Sequence, residues 1–176
     1  MKFNQVPRSP TRRWFLRASL LVGGSVALFG GAVFRARGIR ERRLTASGKE
    51  VIRAFGLAFF DNLLPRDPAQ RAAALDRHVA NLDAMLSDLP RVTRLETSAL
   101  LGVLGNAAGR VAMTGMMTDW GDASVPQLHA ALETLRTSPL RDPQRVYYGL
   151  RGLSCVSFFT DSQNWTTIGY GGPNEL

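Results

Sequence analysis

The stretch "SGKEVIRAFGLAFFDNLLP", Ser47 to Pro65, decides how this chain folds. Val51, Phe55, Phe59 and Leu63 recur at i, i+4 spacing, which aligns them as one apolar stripe on an α-helix. A half-buried strand would need apolar and polar residues to alternate, and they do not. Ser47-Gly48-Lys49-Glu50 has the form of a capping box, in which Ser accepts from the Glu amide and Glu reaches back. Pro65 stops the helix, because proline has no N–H to donate and clashes with the preceding turn.

The same punctuation recurs along the chain. Asp67-Pro68 joins an N-cap to a proline at the first helical position, opening a helix to about Leu89. Its inner face is Leu75, Val79, Leu82 and Leu86, and Pro90 ends it. Thr93 and Glu96 suggest another capping box ahead of Leu100, Leu101 and Leu104. Residues 105–124 are punctuated by glycine and read as a broken helix and a loop. Ser124 and Pro126 start a helix through Leu128, Leu132 and Leu135, and Asp142-Pro143 opens the last long one, to about Thr160. The predicted fold class is all-α. A bundle of about five helices spans 44–161, a leader and possible anchor helix occupies 1–43, and an irregular aromatic tail covers 162–176.

Charge separates the leader from the body. Residues 1–43 carry ten basic side chains and one acid, whereas 44–176 carry twelve and thirteen. The net charge of +8 therefore belongs to the leader, and the body has no electrostatic case for phosphates or nucleic acid. Met1 to Arg17 is polar and basic; Ala18 to Phe34 is 17 residues without a charge, diluted by four glycines; Arg35 to Arg43 is basic again. Thr11-Arg12-Arg13-Trp14-Phe15-Leu16-Arg17 resembles the twin-arginine (Tat) export signal, Ser/Thr-Arg-Arg-x-Phe-Leu-Lys, with only the last residue changed. The resemblance makes Arg12, Arg13, Phe15 and Leu16 the recognition residues for the Tat translocon, which reads them as an address. It implies a periplasmic body. As a helix, Ala18–Phe34 spans ~26 Å at ~1.5 Å per residue, slightly under a ~30 Å hydrocarbon core. Arg17 and Arg35 can snorkel to make up the difference. Leu44-Thr45-Ala46 is a poor cleavage site, so two fates stay open, an uncleaved anchor in the inner membrane or a removed peptide.

The body carries no self-sufficient catalytic set. Cys155, the single cysteine, lies in an apolar segment and reads as a small buried hydrophobe. One cysteine supports no haem attachment and no iron–sulfur cluster. His78 and His129 have no second ligand at i+3 or i+4 and read as surface or partly buried histidines rather than metal ligands. Asp119 and Asp122 fit a solvated loop. The expectation is a chain with no catalytic residues and no cofactor or metal of its own.

Two features remain. From Leu153 to Phe159 the last helix is apolar or small on nearly every face, which fits either burial by its own neighbours or cover by another chain. The tail "NWTTIGYGGPNEL" places Trp165, Ile168 and Tyr170 among glycines and Pro173, which leave it without regular structure. Aromatic side chains so placed anchor interfaces or wrap back over the bundle. Phe158, Phe159, Trp165, Ile168 and Tyr170 are the candidate docking residues.

With the leader, "FFDNLLP" and "RVYYGLRGLSCVSFFTDSQNWTTIGYGGP" resemble the gluconate 2-dehydrogenase subunit 3 family, most specifically in Trp-x-x-Ile-Gly-Tyr-x-Gly-Pro from Trp165 to Pro173. The resemblance implies a small accessory (gamma) subunit of a periplasmic flavin-dependent dehydrogenase of the glucose–methanol–choline oxidoreductase class. FAD then sits on a large catalytic partner that oxidises a sugar, sugar acid or other alcohol, and a cytochrome c subunit with haem c often completes the complex. The missing clean cleavage site departs from the many family members whose leader is removed. Two other readings are a self-contained periplasmic helical binding module and, third, a cofactor-free enzyme, for which no residue set argues.

Overall fold

A computed structural model of the chain describes residues 37–172. The Tat-like residues Arg12, Arg13, Phe15 and Leu16, and the apolar run Ala18–Phe34, lie outside the described residues. Six α-helices form the described part: α1 (Ala46–Phe60), α2 (Pro68–Asp88), α3 (Arg91–Gly105), α4 (Ala107–Thr114), α5 (Val125–Arg136) and α6 (Arg141–Phe159). The body is mostly helical, as its periodicity predicts.

Helix α1 is the hub, packed against α2, α3, α5 and α6. Neighbours on several sides explain why more than one stripe of it is buried. Val51, Ile52, Phe55 and Phe60 are all sequestered, whereas Phe59 and Leu63 are only half-buried. The main core joins Val51, Ile52 and Phe55 to Leu82 and Leu86 of α2, Leu101 and Leu104 of α3, Leu128 and Leu135 of α5, and Leu150 of α6. Each such side chain contributes about 1.5–3 kcal/mol when fully buried. Trp120, from the loop after α4, completes it: its ring lies 5.6 Å from Phe55 and its indole N–H donates to Leu104 O at 2.7 Å. A second, smaller cluster of Phe60, Leu64, Ala74, Leu75 and Phe158 lies at the other end of α1.

The caps agree with the sequence in part. Asp67 accepts from Gln70 N at 2.9 Å, and Ser124 N donates to Gln127 Oε1 at 2.8 Å. Three boundaries move. The N-cap of α1 is Thr45, whose Oγ1 accepts from Gly48 N at 3.1 Å, so Ser47 already lies inside the helix. Helix α3 starts at Arg91 behind Pro90, which leaves Thr93 and Glu96 inside the helix rather than in a capping box. Helix α6 starts at Arg141, two residues before Pro143, which sits in the first turn where a missing N–H costs no hydrogen bond.

A small antiparallel hairpin, β1 (Ile39–Arg40) and β2 (Arg43–Leu44), is an addition to the all-helical expectation. Its residues up to Arg43 had been assigned to the leader's basic end, yet Ile39 and Leu44 belong to the main core. Gly38 N donates to Ser98 O at 2.9 Å, Ile39 N to Ser98 Oγ at 3.1 Å, and Leu44 N to Asp83 Oδ1 at 2.6 Å. Gly38 is required for the approach to α3, because a Cβ there would stand 2.1 Å from Leu101 Cβ. Gly38→Ala is therefore expected to lower stability by roughly 1–3 kcal/mol through forced backbone displacement, and a shifted chemical-denaturation midpoint measures it.

Candidate functional site

The tail after α6 is built on the end of the second core cluster. Phe158 stacks on Phe60 with ring centroids 4.0 Å apart, and both are buried. Beyond it, α6 ends with carbonyls that have no partner within the helix. The tail supplies two. Asn164 Nδ2 donates to Phe158 O, and Trp165 Nε1 donates to Phe159 O, each at 2.7 Å. Asp161 accepts from Gln163 N at 3.0 Å and from Arg77 Nε of α2 at 3.1 Å. The tail is thereby organised into two short 3₁₀ turns, Ser162–Asn164 and Thr166–Ile168, where its composition had predicted none. Gly169, at φ 72°, turns the chain so that Tyr170 N reaches Trp165 O at 3.0 Å and the two rings meet at 5.3 Å.

The five candidate docking residues separate by burial. Phe158 is enclosed within the domain, so it offers nothing to a partner. Phe159 is half-buried against Phe60, and Trp165 is half-buried while holding the end of α6. Ile168 and Tyr170 are each 47% exposed and present the tail's apolar surface. On α6 the outward apolar residues are Tyr148, 57% exposed, and Val156, 54% exposed, with Gly149 and Gly152 between them and Arg145 and Arg151 exposed alongside. Gly149 and Gly152 have open space around them. The buried side of α6 carries Ser154, Ser157 and Phe158, so the near-continuous apolar run has one inner and one outer face. Cys155 is half-buried beside the second cluster, less enclosed than the sequence suggested.

The histidines differ from each other. His78 is 2% exposed, a correction to its reading as a surface or partly buried residue. Ser157 Oγ donates to His78 O at 3.0 Å and lies 3.4 Å from Nδ1. A hydroxyl has one proton, so with that proton on the carbonyl the Nδ1–H faces the Ser157 oxygen. Nε2 then carries a bare lone pair, buried without a partner next to Gly56. Burial pushes this imidazole down from 6.5 to about 4. His129 Nε2 lies 3.0 Å from Ala58 O, at the edge of an open cleft of about 380 Å³ lined also by Phe59, Glu133, Tyr147 and Arg151. The Arg136 guanidinium, bonded to Glu133, holds that carboxyl below its usual range. Asp119 pairs with the buried Arg110 at 2.6 Å, and Arg110 also donates to Met116 O and Met117 O. Asp119 stays largely exposed on its loop, as the sequence suggests, and its carboxylate adds an ion pair to Arg110 beside Trp120.

Among the described residues, no group of three His, Cys, Asp or Glu side chains is placed to hold a metal ion, and no helix is long and apolar enough to cross a membrane. No protein-family model, curated protein or solved structure matches the chain. What the geometry assembles is a surface, made of the folded tail and the outer face of α6.

Proposed function

We propose that this chain is the non-catalytic small subunit of a flavin-dependent dehydrogenase that acts on a sugar, sugar acid or other alcohol. It escorts the folded catalytic subunit through Tat export and then supports it structurally in the periplasm. The observation that carries the reading is Thr11–Arg17, whose residues match a Tat-type address, ahead of a sequence in which no catalytic motif is legible. A flavoprotein folds around FAD before export, so it needs a route that accepts folded cargo. One address can serve a preassembled pair. The chain itself holds no cofactor in this reading; FAD belongs to the large partner, and haem c to a cytochrome subunit where one is present. The exposed Ile168 and Tyr170, on a tail already ordered by its bonds to α6, favour docking there, since little entropy remains to be lost on binding.

A second reading, a periplasmic helical binding module anchored to the inner membrane, draws on the cleft between α1, α5 and α6 that His129, Glu133, Tyr147 and Arg151 edge. Native purification of the full chain separates the two. A co-purifying large yellow subunit supports the escort, and a colourless single species supports the module. Within the complex, Ile168→Ser with Tyr170→Ser is expected to weaken association by roughly 2 kcal/mol or more, about 30-fold, if these are anchoring residues. Surface plasmon resonance of purified subunits measures the dissociation rate. Deleting the tail is the poorer test, because it also strips Phe158 O and Phe159 O of their donors.

A further inference from the structure

The hairpin Ile39–Leu44 puts four charged side chains, with Arg37 just ahead of them, between the apolar run Ala18–Phe34 and the body. Alternation fixes their direction. Ile39 and Leu44 are paired and face the core, so Arg40 and Arg43, the next pair in register, face away from it. Two like charges directly opposite each other on a hairpin are destabilising. Arg43 is offset by Asp83 at 3.3 Å. Arg42 donates to Ser87 O at 2.7 and 3.1 Å, near the C-terminus of α2. Arg37 and Arg40 have no ion pair among the described residues, and both are exposed at the edge of an open cleft of about 450 Å³.

The turn itself is costly. Glu41 and Arg42 both have positive φ, 47° and 67°, where Asn-Gly would be the relaxed choice. Left-handed backbone at a residue with a Cβ costs roughly 1–2 kcal/mol. Arg42 uses the conformation to reach Ser87, and together with Asp83 and Ser98 it fastens the hairpin rigidly to α2 and α3. Two arginines thus hold the hairpin, and two are left pointing outward.

We infer that the outward pair, Arg37 and Arg40, seats the body on an anionic phospholipid surface, with the fastened hairpin as a rigid collar between membrane and domain. The inference rests on the reading that Ala18–Phe34 is retained in the bilayer. The run ends at Phe34, three residues before Arg37, which sets this face at headgroup depth. Charge complementarity selects lipid over a basic or neutral partner. The rest of the body, 44–176, is close to neutral, with twelve basic and thirteen acidic side chains. The hairpin's bonds to α2 and α3 fix Arg40 in place on the bundle, and with it the face turned to the headgroups.

Hydrogen exchange on the full chain tests this with vesicles of phosphatidylcholine alone or mixed with phosphatidylglycerol. Segments within 18–34 should be protected by both vesicles. Residues 37–48 should gain protection only with phosphatidylglycerol, and lose it at about 1 M salt, where the screening length falls to about 3 Å. Arg37→Gln with Arg40→Gln should abolish that gain and lower partition into the anionic vesicles about 30-fold, at roughly fivefold per arginine. Neither side chain holds the fold, and an unchanged circular dichroism melt in phosphatidylcholine verifies it. Protection of 18–34 without any lipid-dependent change at 37–48 overturns the collar and leaves the anchor standing. Protection of 37–48 by anionic vesicles without protection of 18–34 sustains the headgroup seat and removes the anchor. Absence of both overturns both.

Discussion

Replacing Arg12 and Arg13 together by lysine is expected, under the proposed escort role, to strand this chain and its flavoprotein partner in the cytoplasm. The change keeps both positive charges and leaves residues 44–176 untouched. What it removes is the planar fork of donors that distinguishes guanidinium from ammonium, so overall basicity cannot substitute. Since the body is intact, assembly should survive, and with it FAD loading of the partner if, as proposed, loading precedes export. Dehydrogenase activity should move almost entirely from the periplasmic or membrane fraction to the cytosol, with its total roughly maintained. Cell fractionation with activity staining reads the outcome. A partner that still reaches the periplasm has an address of its own, and the escort role is then wrong. Loss of total activity instead of its relocation would mean that the partner needs export, or this chain's leader, in order to mature.

Sequence and structure part company where side-chain reach decides the outcome. The helical period of Ser47–Pro65 and the Asp67-Pro68 cap were legible, because they depend on neighbours in the chain. Thr45 displaced Ser47 as the cap because the hairpin fixes the entry path: Thr45 N donates to Gly38 O at 2.9 Å, which sets Thr45 at the helix start. The hairpin itself has two-residue strands, too short for a period of two to register, and its core residues Ile39 and Leu44 are hidden among four charges. The tail's glycines argued against regular structure. They could not reveal that Asn164 and Trp165 would reach back to α6 and order it. For the candidate surface, residue type alone singles out Trp165, Ile168 and Tyr170, of which Ile168 and Tyr170 are exposed and Trp165 is half-buried against α6. Phe158 was misassigned because its partner in the stack, Phe60, is 98 positions away and on another helix.

Acidification should destabilise the domain through His78 by about 3 kcal/mol. The sign follows from the two states. Unfolded, the imidazole takes up a proton near 6.5; folded, it does so only near 4, so the unfolded chain binds more protons between those values. Stability is therefore complete above about pH 6.5, falls as the pH drops towards 4, and loses nothing further from this group below that. The structural cause is the Nε2 lone pair. Protonation there creates a buried N–H and a positive charge between Phe60, Phe158 and Gly56, with no acceptor to meet either. Only the difference between wild type and a His78 variant isolates the histidine. His78→Phe, packed among the same rings, should lose about 3 kcal/mol less than wild type between pH 7.5 and pH 4 in urea titrations. An equal loss in both would show that His78 is not held neutral by its surroundings. Gly56→Ala gives an independent reading of the same packing, since its Cβ would lie 2.6 Å from His78 Cδ2. It should cost roughly 1–3 kcal/mol, and much of that cost should disappear in a His78→Ala background, where the opposing ring is gone. A penalty that persists unchanged there would place the conflict elsewhere than between α1 and this side chain.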